Sequence, residues 1–301
     1  MRRESRLGEP PRPTIMKIHL VTYATPRFRL RQLVLGWSAR LNRVADTVTH
    51  WTPEKLLSAG FEARCKDIKL TERGSGFWAW KPFIIAAKLR EVPEGDLVFY
   101  CDIGRRFPYK TLGHRLDPFI HWMDQHGQDS LPGLAIPWRG SMSVWTKRDA
   151  FILTDTDAPE IHQLPPIQAS FSLWRACQRT RDFLYEWTEW CSRRELISDD
   201  PSALGLPELQ DFFEHRHDQA LLTLCCYRSG LQALDMGTYA VSYDTRNPSD
   251  VLANVFAQPA SPATLRIWLL KLITSILETL EAALRRLVKF GNPAKQHPLA
   301  D

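Results

Sequence analysis

The chain has 301 residues, 44% hydrophobic and 24% charged, enough apolar material for one large core or two small ones and too much for a disordered protein. Its 15 glycines and 21 prolines follow no triplet period and no internal repeat is present, so collagen-like and solenoid architectures are excluded. The net charge of +5 sits at the two ends, with +2 in residues 1–15 and +3 in residues 262–301. The body between them is neutral and has no field with which to hold nucleic acid.

Residues 1–15 carry no apolar run of the secretory type and are broken by prolines, so they read as a flexible leader. A single α/β domain is expected over 16–245, followed by a linker over 246–261 and an amphipathic helical extension with a tail over 262–301. The six cysteines, Cys65, Cys101, Cys177, Cys191, Cys225 and Cys226, form no CxxC pair and no zinc-ligand spacing. Cys225 and Cys226, inside an apolar run, read as small buried hydrophobes, and the set as a whole fits a reducing compartment.

In chain order, residues 17–23 (KIHLVTY) predict a buried strand, being short, β-branched and bounded by Thr25-Pro26. Residues 27–44 predict an amphipathic helix whose inward face is Leu30, Leu33, Val34, Trp37, Leu41 and Val44. A second helix begins near Lys81-Pro82, where proline suits the first turn, and stops at Val92-Pro93-Glu94-Gly95. Residues 96–100 (DLVFY) form a continuous apolar run, the signature of a central strand, and lead into Cys101-Asp102-Ile103-Gly104. Short strands are expected at 134–137 and 143–145, a helix over 171–194, and another over 218–228 closed by Gly230. Alternating strands and helices predict a mostly parallel sheet flanked by helices, with ligands gathering at the carboxyl ends of its strands.

Residues 262–290 place many large apolar side chains at helical spacing, interrupted by Lys271, Glu278 and Glu281. The charges rule out a membrane span. Two readings remain: a helix packed on the body or a partner, and a helix lying on a membrane surface with its Arg and Lys residues at the headgroups.

Three clusters bear chemistry. Tyr100-Cys101-Asp102-Ile103-Gly104 sets a carboxylate at a strand end, where it either binds a divalent cation such as Mn²⁺ or Mg²⁺ or forms a turn, and Gly104 lets a ligand approach the backbone. In 74–82 (GSGFWAWKP), Trp78 and Trp80 are each either a flat platform for a ring or core packing, and Lys81 is a point charge for phosphate. In 214–219 (EHRHDQ), donors, acceptors and a titratable pair precede an apolar helix, with Asp218 either an N-cap or a reacting carboxylate. Walker, HExxH and GxSxG patterns are absent, so P-loop, zincin and serine-hydrolase chemistry are not indicated.

With VTYAT (21–25), GSGFWAWKP (74–82), GDLVFYCDIG (95–104), WTKRD (145–149) and HRHDQALLTL (215–224) in this order, the chain resembles the nucleotide-diphospho-sugar transferases of the GT-A fold over residues 16–243. The likeness is greatest to glycosyltransferase-like proteins of bacterial surface polysaccharides. It implies a GT-A-like, Rossmann-like catalytic domain in a cytoplasmic enzyme at the inner face of the membrane. That enzyme would move a sugar from a nucleotide-sugar donor to a glycan acceptor. It also implies donor contacts from Thr22, Tyr23, Thr25, Trp80, Lys81, Tyr100, Asp102, Gly104, Lys147, His215 and Arg216. Asp218-Gln219 matches the Asp-Gln pair that retaining families place beside the donor sugar, and Asp102 with His217 would hold the cation. Position 104 carries Gly where the DxD motif has its second Asp, so Lys81, Lys147 or Arg216 would carry more of the diphosphate charge. Two alternatives stay open: a non-catalytic carbohydrate- or nucleotide-binding protein that kept the fold, and a metal-dependent hydrolase.

Overall fold

The computed structural model describes residues 16–41, 43–103 and 116–235. The leader, Gly104, the linker and the extension over 262–301 lie outside these residues. Among the described residues the strands are β1 (Ile18–Tyr23), β2 (Thr47–Trp51), β3 (Leu97–Cys101), β4 (Ser130–Leu131), β5 (Leu134–Ala135), β6 (Ile167–Gln168), β7 (Phe171–Arg175) and β8 (Leu234–Asp235). The longer helices are α1 (Arg29–Leu41), α2 (Trp80–Glu91), α3 (Asp117–Gln125), α4 (Gln178–Ser192) and α5 (His217–Ser229).

The main sheet has the order β2-β1-β3-β7-β4, and a small sheet has the order β6-β5-β8. β1 runs parallel to β2 and β3, with Ile18 opposite Leu97 and His19 opposite Thr47. β7 lies antiparallel to both β3 and β4, so it alone opposes the direction of the main sheet. The fold is thus mixed α/β with a mostly parallel central sheet.

Strand alternation divides the core in two. Val21, Tyr23, Val98, Tyr100 and Trp174 point to one face, where α2, α4 and α5 pack. Leu20, Leu97, Phe99, Cys101 and Leu173 point to the other, against Leu35 and Ala39 of α1 and Phe119 and Met123 of α3. Burial on both faces is why β1 and β3 read as unbroken apolar runs.

Three expectations are corrected. Residues 171–194 are a strand followed by a helix: alternation in Phe171–Arg175 builds β7 before α4 begins at Gln178. Met142–Trp145 is a helical turn where a strand was expected over 143–145. Most consequential, α1 is rotated relative to its apolar pattern. Leu30, Leu33, Trp37 and Leu41 are 42%, 45%, 53% and 41% exposed, whereas Gln32, Leu35, Gly36 and Ala39 face the sheet.

Two physical causes fix that rotation. The buried Gln32 amide donates to the carbonyls of Thr22 and Trp51 (3.0 and 2.9 Å), satisfying acceptors at the ends of β1 and β2. The helix also comes so close to β2 that a Cβ on Gly36 would lie 2.5 Å from His50 and 2.9 Å from Val48. Only a small-residue face fits at that distance.

The cysteines Cys65, Cys101, Cys191, Cys225 and Cys226 are buried free thiols and Cys177 is half-buried, as expected of small core residues. No helix among the described residues is long and apolar enough to cross a membrane.

Candidate functional site

The parallel strands β1 and β3 end at the same edge of the sheet, and Asp102 follows β3 directly. Its backbone N–H donates to the carbonyl of Ser170 (2.8 Å), which ties the strand end to the β6–β7 connection. Its carboxylate accepts from the buried Tyr100 hydroxyl. The Asp102 side chain keeps 25% of its surface exposed.

Ahead of α2 the backbone passes through left-handed conformations at five consecutive residues, Gly74 (φ 61°), Ser75 (59°), Gly76 (86°), Phe77 (52°) and Trp78 (59°). For the three that are not glycine this costs about 1–2 kcal/mol each. The turn is held by Trp80 Nε1 donating to the Gly74 carbonyl (3.0 Å) and by Ser75 Oγ bonded to the Tyr23 hydroxyl (2.6 Å). Tyr23 in turn stacks on Trp80 at 4.1 Å. Gly74 has no substitute there, because a Cβ would lie 2.4 Å from the Trp78 ring. The strained turn brings the Trp78 ring to 5.5 Å from the His217 ring and delivers Lys81 into the interior at the start of α2.

Lys81, 3% exposed, links the two carboxylates that the sequence placed more than a hundred residues apart. Its Nζ lies 2.6 Å from Asp218 Oδ2 and 4.0 Å from Asp102 Oδ1. Burial alone disfavours the ammonium, but the two carboxylates outweigh it and hold Lys81 above the ordinary lysine range. Burial pushes Asp218 up to about 6 against the pull of Lys81, with the Asp102 charge adding to the rise. Burial also raises Asp102, opposed by Lys81 and the Tyr100 hydroxyl. The buried Asp218 depends on Lys81 for its compensation, whereas Asp102 is partly exposed and also accepts from Tyr100.

The other wall is the N-terminus of α5. The Asp218 carbonyl accepts from buried Trp187 Nε1 (3.1 Å), anchoring the first turn. His217 Nδ1 must donate to the Ile197 carbonyl (2.8 Å), which leaves its buried Nε2 without a hydrogen-bond partner and 3.6 Å from Asp199 Oδ1. Burial lowers His217 below the ordinary histidine value, against the Ile197 hydrogen bond and the Asp199 charge.

Lys81, Asp102, Arg216, His217, Asp218 and Gln219 line one cleft of about 190 Å³, together with Arg73, Trp78 and residues 168–170. Arg73 lies 3.4 Å from Asp199 and 3.5 Å from Glu214. Arg216 pairs with Glu214 (2.7 Å) and lies over the Trp145 ring. Two guanidinium groups, both paired with carboxylates, and a helix N-terminus thus flank the buried Lys81–Asp218 pair and the partly exposed Asp102.

The other expected residues stand behind the cleft. His215 is buried with both ring nitrogens occupied: Nε2 donates to the Leu196 carbonyl (2.8 Å) and Nδ1 accepts from the Lys147 N–H (3.3 Å). Burial, with the charges of His217 and Lys147 adding, holds it well below the usual range. Lys147 Nζ donates to the carbonyls of Ser198 and Asp200, so it braces a loop. Thr22 is buried against His50, Tyr23, Trp80 and Tyr100 support the turn and Asp102, and Thr25 caps a 3-10 turn over Pro26–Phe28 through its backbone position alone. None of these seven lines the cleft.

Arg73 and residues 168–170 were missed as site residues, whereas Trp78, expected with Trp80 as a candidate ring platform, does line the cleft. Arg73 and Trp78 flank the glycine turn and carry a local signal. The 168–170 segment has none, because only the antiparallel insertion of β7 brings it beside Asp102.

The site is defined by its chemistry, a polar cleft at a sheet edge in which the buried Lys81 stands between the buried Asp218 and the partly exposed Asp102. No protein-family description, no curated protein and no solved structure matches the chain.

Proposed function

We propose that the chain is a glycosyltransferase taking a sugar from a nucleotide-diphosphate donor to a glycan acceptor in polysaccharide biosynthesis, with retention of anomeric configuration. The observation that carries this reading is the convergence of Asp102 and Asp218 on Lys81 within one cleft flanked by Arg73 and Arg216. The cleft is smaller than the ~300–1,000 Å³ typical of sites that enclose a whole small molecule. It suits the reacting end of a donor, the sugar and its diphosphate.

In this reading Arg73, Arg216 and the N-terminus of α5 hold the diphosphate. The bond between C1 and the phosphate oxygen breaks with its electron pair passing to the diphosphate. The acceptor oxygen forms the new bond to C1 on the same face and passes its proton to the departing phosphate oxygen. Asp218 stabilises the oxocarbenium-like centre between these events, and Lys81 keeps that carboxylate ionised at neutral pH. Gln219 is placed to orient a sugar hydroxyl.

A Mn²⁺ or Mg²⁺ ion has a fit in part: His217 presents an unpartnered buried Nε2 with its Nδ1 locked on a carbonyl, the tautomer that metal ligation requires, and Asp102 opens on the same cleft. An ion there would neutralise diphosphate charge when bound. Among the described residues no three His, Cys, Asp or Glu side chains gather as a metal site. Lys81 stands between both carboxylates, 2.6 Å from Asp218 and 4.0 Å from Asp102.

Calorimetry with UDP- and GDP-sugars, each with Mn²⁺ and with a chelator, followed by nucleotide release in the presence of glycan acceptors, tests the reading. Donor binding with acceptor-dependent nucleotide release, abolished in Asp218→Asn, is expected. Tight donor binding without release over a broad acceptor panel favours the binding protein, and release that acceptor does not increase favours the hydrolase. Absence of any nucleotide-sugar binding refutes both transferase and binder.

A further inference from the structure

The face of α1 that the rotation turns outward presents Leu30, Leu33, Trp37 and Leu41 as one stripe at helical spacing, each more than 40% exposed. At about 100° per residue, Arg29 and Arg40 border this stripe on one side, and Arg27 precedes it on the other. From 26 to 45 the sequence holds five arginines and no acidic residue. The positive field extends to the sheet below. His50, against which Gly36 of α1 packs, is pushed down to about 4 by burial and by the charges of Arg29, Arg40 and Lys55.

We propose that this stripe and its arginine border form a docking surface for an anionic lipid membrane. The occupant follows from charge. The apolar segment 262–290 of this same chain is basic too, with five Lys and Arg against Glu278 and Glu281, so pairing it with α1 would set like charges together. A second copy of α1 meets the same objection. Nucleic acid would use the arginines and leave four large apolar side chains wet. An anionic bilayer surface takes both parts: headgroups meet the guanidinium groups and the interface takes Trp37 and the leucines. Because α1 starts just after the end of β1, the Leu30 end of the stripe lies toward the sheet edge on which Asp102 stands, while the helix itself packs on the face of the sheet opposite α2 and α5.

The experiment is flotation of the full chain with phosphatidylcholine vesicles, with and without phosphatidylglycerol, at low and high salt. Comparison variants are Leu33→Ser/Trp37→Ser, Arg29→Glu/Arg40→Glu and the distant control Leu204→Ser/Leu206→Ser. The expected result is binding only to the anionic vesicles, weakened by salt, reduced at least tenfold by either α1 pair and unchanged in the control. Circular dichroism and thermal unfolding confirm that the variants fold. The proposal is overturned if the α1 pairs float like the parent, which assigns binding to 262–290. It is also overturned if the serine pair only destabilises the fold, if it only breaks up a dimer seen by light scattering, or if an RNA oligonucleotide is retained in preference to the vesicles.

Discussion

Replacing Lys81 by methionine keeps the length and apolar stem of the side chain and removes only its charge, leaving Asp218 uncompensated in the interior and facing the partly exposed Asp102. Breaking a buried ion pair from one side costs about 3–5 kcal/mol while the abandoned charge persists. The carboxylates can escape by taking up protons. Asp218, already up at about 6 with the ammonium beside it, rises further without it. A carboxyl whose folded pKa lies above its unfolded value contributes stability that is complete below the unfolded pKa and lost as pH rises through the folded pKa, at ~1.4 kcal/mol per pH unit and proton. The deficit of the variant relative to the parent is therefore small at pH 5, about 1 kcal/mol, and near the full 3–5 kcal/mol at pH 8. In urea, with a slope of ~2 kcal/mol per molar, that is a midpoint shift of about 0.5 M at pH 5 and about 1.5–2.5 M at pH 8. Adding Asp218→Asn to the methionine variant removes the titrating group and most of the pH dependence with it. A deficit of equal size at both pH values refutes the electrostatic coupling of Lys81 to the carboxylates.

Three further outcomes follow from the same geometry. Transferase turnover rises through about pH 6 as Asp218 ionises, and a turnover profile flat from pH 5 to 8 removes Asp218 from the reacting centre. Gly74→Ala combines a left-handed conformation with a Cβ 2.4 Å from the Trp78 ring; it lowers stability by about 2–4 kcal/mol in thermal unfolding, and a neutral variant contradicts the turn. His215→Ala leaves the Lys147 N–H and the Leu196 carbonyl unpaired, which costs about 1–3 kcal/mol in denaturant titration. Its nucleotide-sugar affinity stays within about twofold of the parent, and a large affinity loss in the folded variant returns His215 to the binding site.

The sequence alone determined the parts whose cause is local. β1 and β3 are legible because strands buried on both faces are apolar throughout, and α2 and α5 because Pro82 and Gly230 mark where helices can begin and end. Asp102 was legible as a strand-end carboxylate, and the EHRHDQ cluster as a helix start. The orientation of α1 was not, because it is decided by what the sheet beneath requires: acceptors at the ends of β1 and β2 that Gln32 satisfies, and a spacing that only Gly36 tolerates. Hydrophobic periodicity finds a face without saying where it points. Nor could sequence separate His215 from His217, since one spends both ring nitrogens on backbone partners and the other keeps one free, a distinction set by the distant Leu196 and Ile197 carbonyls. Only the tertiary structure put Lys81 between Asp102 and Asp218, because the energy of a buried charge depends on what lies within a few ångströms of it and not on its place in the chain.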